Sequence, residues 1–391
     1  MEYMEYMEYM ELDEISKFDD IRPYRDSEIP AAMKRIAESS SFPILASFVY
    51  PGRPLEEVRQ MLLGFKSISD FQLEVMRCVN EQVIARSVTE FTYSGIDNIS
   101  PNRRYLFVSN HRDIMLDSSL LQYVLFKNGQ ETSEITFGSN LMSSPLVIDI
   151  GKSNKMFRVE RGGNMKDFYK SSMHLSEYIR HAITKKGESV WIAQRNGRTK
   201  DGNDATDQGI IKMFCMSKPD DKIGALAELN IVPVSVSYEW EPCDILKTLE
   251  LYESKYIRYI KKPGEDLNSI LTGITAQKGR VHFEICKPVS ADLLQSLGNG
   301  VTGSEYNRRV AGYIDSEILS HYKLYPNNYI AHDIRYGCSE YADRYTADER
   351  NLFVSRLDRL ADYSDCDTDM LYDIYLGIYS NPIDNAKGYC L

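Results

Sequence analysis

His111, Asp113 and Asp117 lie together in the stretch YLFVSNHRDIMLDSSLL, residues 105–121. A lone imidazole acts as a general base near neutral pH when a carboxylate fixes its tautomer and stabilises the imidazolium formed on taking a proton. Either Asp113 or Asp117 could supply that carboxylate, because a side chain in the first turns of a following helix can fold back onto the ring. The competing reading is a histidine that closes a turn, with Asp113 as a helix-start residue favoured by the helix dipole. These residues alone weigh the two readings evenly.

Their position depends on the elements around them. The apolar run 105–109 predicts a buried strand, Asn110 and His111 a turn, and the apolar spacing over 113–124 a helix. His111 then emerges at the C-terminal end of a strand, where α/β enzymes keep their chemistry. Further strands are predicted at 88–94, 135–137, 189–193, 232–238 and 280–286, separated by helical patterns that include 165–184. This alternation predicts an α/β fold with a mixed, mostly parallel sheet flanked by helices. Helical periodicity over 54–64 and 69–86, and again after residue 290 with 305–322 the clearest case, divides the chain into three. An N-terminal extension and helical layer (1–87) and a C-terminal helical extension (291–391) flank a catalytic domain (88–290). The opening MEYMEYMEYMELDE reads as a terminal extension too brief for a solenoid. Residues 201–205, polar and glycine-containing, read as a mobile loop. The C-terminal tyrosines and the remaining histidines read as ordinary packing.

The 105–121 stretch resembles the Asn-His-x4-Asp block of the glycerolipid acyltransferases, the glycerol-3-phosphate and lysophosphatidic acid acyltransferases. KMFRVERGG (155–163) resembles the family's second block, in which a Phe and a downstream Arg line the acceptor site. VWIAQRNGRTKDG (190–202) resembles the third, usually a strand followed by Pro-Glu-Gly-Thr-Arg, and IVPVSVSYEWEPCD (231–244) resembles the fourth. The blocks fall in the family's order within the stretch 105–244, roughly a third of the chain. The resemblance implies His111 as the base and, from its Leu-Asp context, Asp117 as its carboxylate. It implies an acceptor site drawn from Asn110, Phe157, Arg158, Arg161, Arg195, Asn196, Gly197 and Arg198. The arginines suit a phosphorylated acceptor because guanidinium matches phosphate oxygens bidentately, and Gly197 lets the backbone approach a ligand. Two features depart from the family. The His-to-Asp spacing is x5, a form that some bacterial members share, and Asn196 stands where the third block carries Glu, keeping a carbonyl acceptor but losing the charge.

The implied activity is transfer of a fatty acyl group from acyl-CoA or acyl-carrier protein to a hydroxyl of 1-acylglycerol-3-phosphate or, next, glycerol-3-phosphate, in phospholipid synthesis and without a cofactor. The alternatives are O-acylation of a lyso-aminolipid and a non-catalytic lipid-binding protein on the same fold. Composition is compatible with these. The 391 residues, 43% hydrophobic, can build a sizeable core, and a formal charge of −11 argues against a general nucleic-acid binder. Seven scattered cysteines without Cys-x-x-Cys pairs suit reduced thiols, and the six histidines do not cluster with them at ligand spacing, which argues against a zinc site. No apolar run is long enough to span a bilayer. The chain is therefore expected in the cytoplasm, with peripheral contact on the inner face of the cytoplasmic membrane if its acceptor is a lipid. Residues 41–52 and 245–262 are the stretches considered for that contact, and for the second a helix packed on its own domain with a charged face outward is slightly favoured.

Overall fold

The computed structural model describes residues 16–142, 144–162 and 164–389; the MEY repeat and Cys390 lie outside them. Seven strands form one sheet: β1 (Val88–Ser94), β2 (Leu106–Ser109), β3 (Glu134–Gly138), β4 (Met156–Val159), β5 (Val190–Ala193), β6 (Ile231–Tyr238) and β7 (Gly279–Ile285). Their spatial order is β1-β7-β6-β2-β5-β3-β4. The five strands from β6 to β4 are mutually parallel, whereas β7 runs antiparallel to β6 and carries β1 parallel to itself. The fold is thus α/β on a mixed, mostly parallel sheet.

Every residue of β2, β5 and β6 is buried, as near-continuous apolar runs at the centre of a covered sheet should be. The pleat divides them between two cores. Leu106 and Val108 face a cluster shared with the helices Met165–His181, Gln208–Cys215 and Gly303–Ser320, while Phe107 joins Leu116, Leu120 and Leu121 of the helix Leu116–Lys127 on the other face. The N-terminal helices pack among themselves around Ile29, Met33, Phe42 and Phe71. The C-terminal helices close on Ile330, Phe353, Leu371 and Tyr375.

Three expectations change. β4 is a strand that apolar patterning does not announce, since it is a four-residue edge with an exposed arginine at its third position. The helix expected over 245–262 spans Asp244–Tyr256 and stops there. The segment 201–205 is tied down rather than loose. Asn381 Nδ2 donates to the Asp201 carbonyl at 2.7 Å, Gly202 lies so close to Ile378 that a Cβ would sit 2.3 Å from its carbonyl oxygen, and Asp204 is buried.

The C-terminal helices also hold the helix Asp244–Tyr256 in place. Asp244, buried at its first position, accepts from Arg356 Nε and Nη2 at 2.7 Å each, from Tyr375 Oη at 2.9 Å and from Tyr379 Oη at 2.7 Å.

Candidate active site

The C-terminal ends of the parallel strands converge on one cavity of about 330 Å³. β2 ends at Ser109, and its chain passes through Asn110 to His111, whose backbone carbonyl accepts from Thr199 N at 2.7 Å. The ring is largely buried and meets Trp191 of β5 edge-on at 5.6 Å. His111 Nδ1 lies 2.8 Å from Asp117 Oδ2. The same oxygen accepts from the backbone N–H groups of Arg112 (2.6 Å) and Asp113 (2.9 Å), and Asp117 Oδ1 accepts from Tyr238 Oη at 2.8 Å. Four donors fix this buried carboxylate as an acceptor, which puts the Nδ1 proton on His111 toward it and leaves Nε2 as the basic nitrogen.

Asp113 does different work. Its Oδ1 accepts from Met115 N and Leu116 N, both at 2.9 Å, and so opens the helix Leu116–Lys127. Its Oδ2 is buried with no hydrogen bond from the described residues, against a glycine, Gly273, where a Cβ would sit 2.2 Å away. Burial, and then the charge of Asp117, push the Asp113 carboxyl above the usual carboxylate range.

Behind His111 lies a charged network that sequence spacing does not reveal. Arg112, only 1% exposed, donates to Asp204 Oδ2 through Nη2 (2.5 Å) and Nε (3.1 Å), and to Glu241 Oε2 through Nη1 (3.2 Å). Lys247 Nζ bridges Glu241 Oε1 at 2.5 Å and the Arg112 carbonyl at 2.7 Å. Tyr322 lies under the guanidinium at 5.1 Å. Asp204 also accepts from Thr199 Oγ1 at 2.7 Å and from Asn110 Nδ2 at 3.3 Å. With two cations and two carboxylates, the network balances its charge and locks both residues flanking His111 in the chain.

Of the residues that the resemblance nominates for acceptor binding, Arg161, Arg195, Asn196, Gly197 and Arg198 line the cavity with His111. Arg161 fits there because residue 138 is a glycine, whose Cβ would lie 2.8 Å from Arg161 Nε. Gly197 takes φ +79°, the left-handed conformation that lets the loop turn Arg198 inward. Arg198 donates to Ser269 Oγ at 3.2 Å, and its Nη1 is buried beside Cys243 and finds no oxygen or nitrogen acceptor among the described residues. Three residues stand elsewhere. Asn110 is wholly buried and bridges β2 to β6 through Val236 N (2.8 Å) and O (2.9 Å). Phe157 points into the core against Tyr178 at 4.9 Å. Arg158, on the opposite side of the β4 pleat, pairs with Glu160 at 2.6 Å and lines a separate cavity near Asp20 and His174.

Asn140, Lys200, Lys261 and Asp266 also line the cavity, which Ile114, Leu141 and Leu251 make partly apolar. Asn140 Nδ2 donates to Asp266 Oδ2 at 3.1 Å, Lys261 pairs with Asp266, and Lys200 pairs with Glu250. These residues lie far apart in the chain, and only the sheet order brings them to His111. The fold also brings together Cys286, Glu317 and His321, and His332, Cys338 and Glu340 meet within one short stretch of chain. Their donors have protein partners: His321 Nδ1 meets the Glu317 carbonyl at 2.8 Å, and Glu340 pairs with Lys387. Among the described residues, no helix is long and apolar enough to cross a membrane.

Comparison with known proteins gives two likenesses. Residues 90–237, which run from β1 to the end of β6, match the Acyltransferase family model. Among solved structures, the chain is similar to the 1-acyl-sn-glycerophosphate (LPA) acyltransferase PlsC from Thermotoga maritima, at 13% identity over 74% of this chain and 91% of that one, with a TM-score of 0.37. No curated protein sequence matches the chain.

Proposed function

We propose, from the acyltransferase-family domain that residues 90–237 carry, that the protein transfers a fatty acyl group from a thioester to a hydroxyl of a glycerol-3-phosphate-type acceptor, first of all 1-acylglycerol-3-phosphate. The observation that carries the proposal is the buried His111–Asp117 pair at 2.8 Å, on the wall of a cavity that Arg161, Arg195 and Arg198 also line. His111 Nε2 takes the acceptor hydroxyl proton as that oxygen attacks the thioester carbonyl. Asp117 stabilises the imidazolium, and the tetrahedral intermediate collapses with departure of the thiolate, which recovers the proton from His111. Transfer is direct, with no acyl-enzyme. The arginines neutralise the acceptor phosphate and hold its hydroxyl beside Nε2, so that binding energy is used for orientation. The donor is acyl-CoA or acyl-carrier protein, and the acceptor is drawn from the inner face of the cytoplasmic membrane.

The test is release of free thiol from acyl-CoA or acyl-carrier protein by wild type and His111→Ala, with lysophosphatidic acid, glycerol-3-phosphate, an uncharged lysolipid or no acceptor. Acceptor-dependent release that falls about 10²–10⁴-fold in the variant is expected. Equal rates for wild type and variant would remove His111 as the base. Asn196, exposed in the cavity wall where a charge would otherwise stand, favours one second reading, a lyso-aminolipid acceptor. Turnover of that acceptor that is indifferent to Arg161→Ala and Arg198→Ala would select it. Lipid binding that persists in His111→Ala, with no transfer by either protein, would select a non-catalytic lipid binder.

A further inference from the structure

Two segments whose chain neighbours Arg161, Lys261 and Asp266 line the cavity expose large apolar side chains. Four residues beyond Arg161, the helix Met165–His181 begins with Met165 91% exposed, followed by Phe168 and Tyr169, each more than half exposed. On the side of Lys261, the chain leaves its helix at Tyr256 and presents Ile257 (64%) and Ile260 (78%). The helix that follows, Glu265–Thr275, packs Ile274 against the core yet carries a second apolar stripe. It turns Ser269 and Gly273 inward and leaves Leu267 and Leu271, one turn apart, more than half exposed. These two segments hold half of the exposed large apolar side chains found among the described residues, a concentration that marks an interaction face rather than ordinary scatter. They are joined at the cavity wall, where Arg161, Lys261 and Asp266 meet Asn140.

Cations stand between the apolar residues. Lys166 and Lys170 flank Phe168, with Lys170 also lining the separate cavity near Asp20, and Lys255 and Arg258 flank Tyr256 and Ile257; all four are exposed, and among the described residues none forms a salt bridge. In a chain of net charge −11 this is an unusual place to keep unpaired positive charge. Apolar side chains that insert between headgroups, with lysine and arginine beside them to meet the phosphates, fit the surface of an anionic bilayer.

We propose that this rim, residues 165–170 following Arg161 and residues 255–271 around Lys261 and Asp266, docks the protein on an anionic lipid surface with the cavity mouth facing the headgroups. The rim names the membrane partner of the proposed acyl-transfer site, and in its role of delivering acceptor it rests on that reading. Docking itself does not need the chemistry. An acceptor whose acyl tail stays in the bilayer then needs to raise only its headgroup to reach His111.

The full-length protein is sedimented with vesicles of phosphatidylcholine alone or of phosphatidylcholine with phosphatidylglycerol, beside Ile257→Asp/Ile260→Asp and Met165→Asp/Phe168→Asp. These side chains are exposed, and thermal unfolding of each variant checks that the fold is unchanged. Wild type should bind the anionic vesicles at least about tenfold more tightly than the neutral ones, with salt weakening the difference, and each double variant should lose about tenfold or more on anionic vesicles. Acyl transfer to a monodisperse short-chain acceptor should be unchanged, while transfer to vesicle-borne acceptor falls. Wild type that ignores both vesicles, or variants that bind as wild type does, would overturn the proposal. Unimpaired vesicle binding with loss of transfer from acyl-carrier protein alone would overturn it in favour of an acidic protein surface. Docking without transfer of any kind would leave the rim standing and sink the acyl-transfer reading.

Discussion

Two aspartates six or fewer positions from one histidine carry opposite assignments, and amide substitutions separate them. Asn at position 117 places an N–H donor where His111 Nδ1 and two backbone N–H groups need an acceptor, or turns it toward Tyr238 and weakens the imidazolium. Asp117→Asn should lower kcat by about 10²–10⁴-fold with KM little changed. Asp113→Asn keeps an oxygen for Met115 and Leu116 and removes a carboxyl that burial already pushes toward its neutral form, so its kcat should stay within about tenfold of wild type. Equal losses in steady-state assays would void this division of labour. His111, Asp113 and Asp117 were legible as candidates because the contacts that pair them, His111 to Asp117 and Asp113 to the helix start, lie within one short stretch of chain, whereas the Tyr238 donor to Asp117 comes from β6 and was not legible. Neither was Arg112, because Asp204, Glu241 and Lys247 reach it only through the sheet order. Phe157 and Arg158 were nominated from a motif whose strand went unrecognised, and the pleat of β4 turns both away from the cavity.

At the scale of elements, glycine separates a loop shaped by its own backbone from one shaped by its neighbour. Gly197 and Gly202 share nearly the same conformation, φ +79° and +78°, but a Cβ at 197 would meet nothing within 4 Å whereas one at 202 would strike the Ile378 carbonyl. Gly197→Ala should cost about 1–2 kcal/mol of unfolding free energy, the cost of an alanine held in the left-handed region. Gly202→Ala should cost at least about 1 kcal/mol more, since the C-terminal helix must also shift. Urea denaturation checks both, and equal midpoints would show that the loop and helix are not in contact. That contact explains why 201–205 read as mobile from composition: glycine and polar residues signal a turn equally well whether or not another helix sits on it. Strands came through where burial on both faces leaves a continuous apolar run, as in β2, β5 and β6. Their order did not, because pairing β7 between β1 and β6 depends on contacts distant in the chain.

For the molecule as a whole, burying a carboxylate without a cation beside it makes stability a matter of pH. Asp315, on the helix Gly303–Ser320, accepts from Thr206 N at 2.7 Å and Thr206 Oγ1 at 2.6 Å, and so ties that helix to the segment leading away from the cavity. Burial, only partly offset by those hydrogen bonds, pushes its carboxyl up to about 6. The unfolded chain releases this proton near pH 3.9, so between roughly pH 4 and 6 the native state holds more protons than the unfolded one. The stabilisation from this group is therefore complete below about pH 4 and is lost as pH rises through 6, opposite to the loss on acidification expected of a carboxylate held in an ion pair. Asp315→Asn keeps an oxygen for Thr206 and cannot ionise. Its unfolding free energy, measured relative to wild type, should rise by about 2–3 kcal/mol from pH 4 to pH 7 and stay level above that. A difference independent of pH would mean that Asp315 ionises in the folded protein as it does in the unfolded chain, and that the Thr206 contacts fully offset its burial.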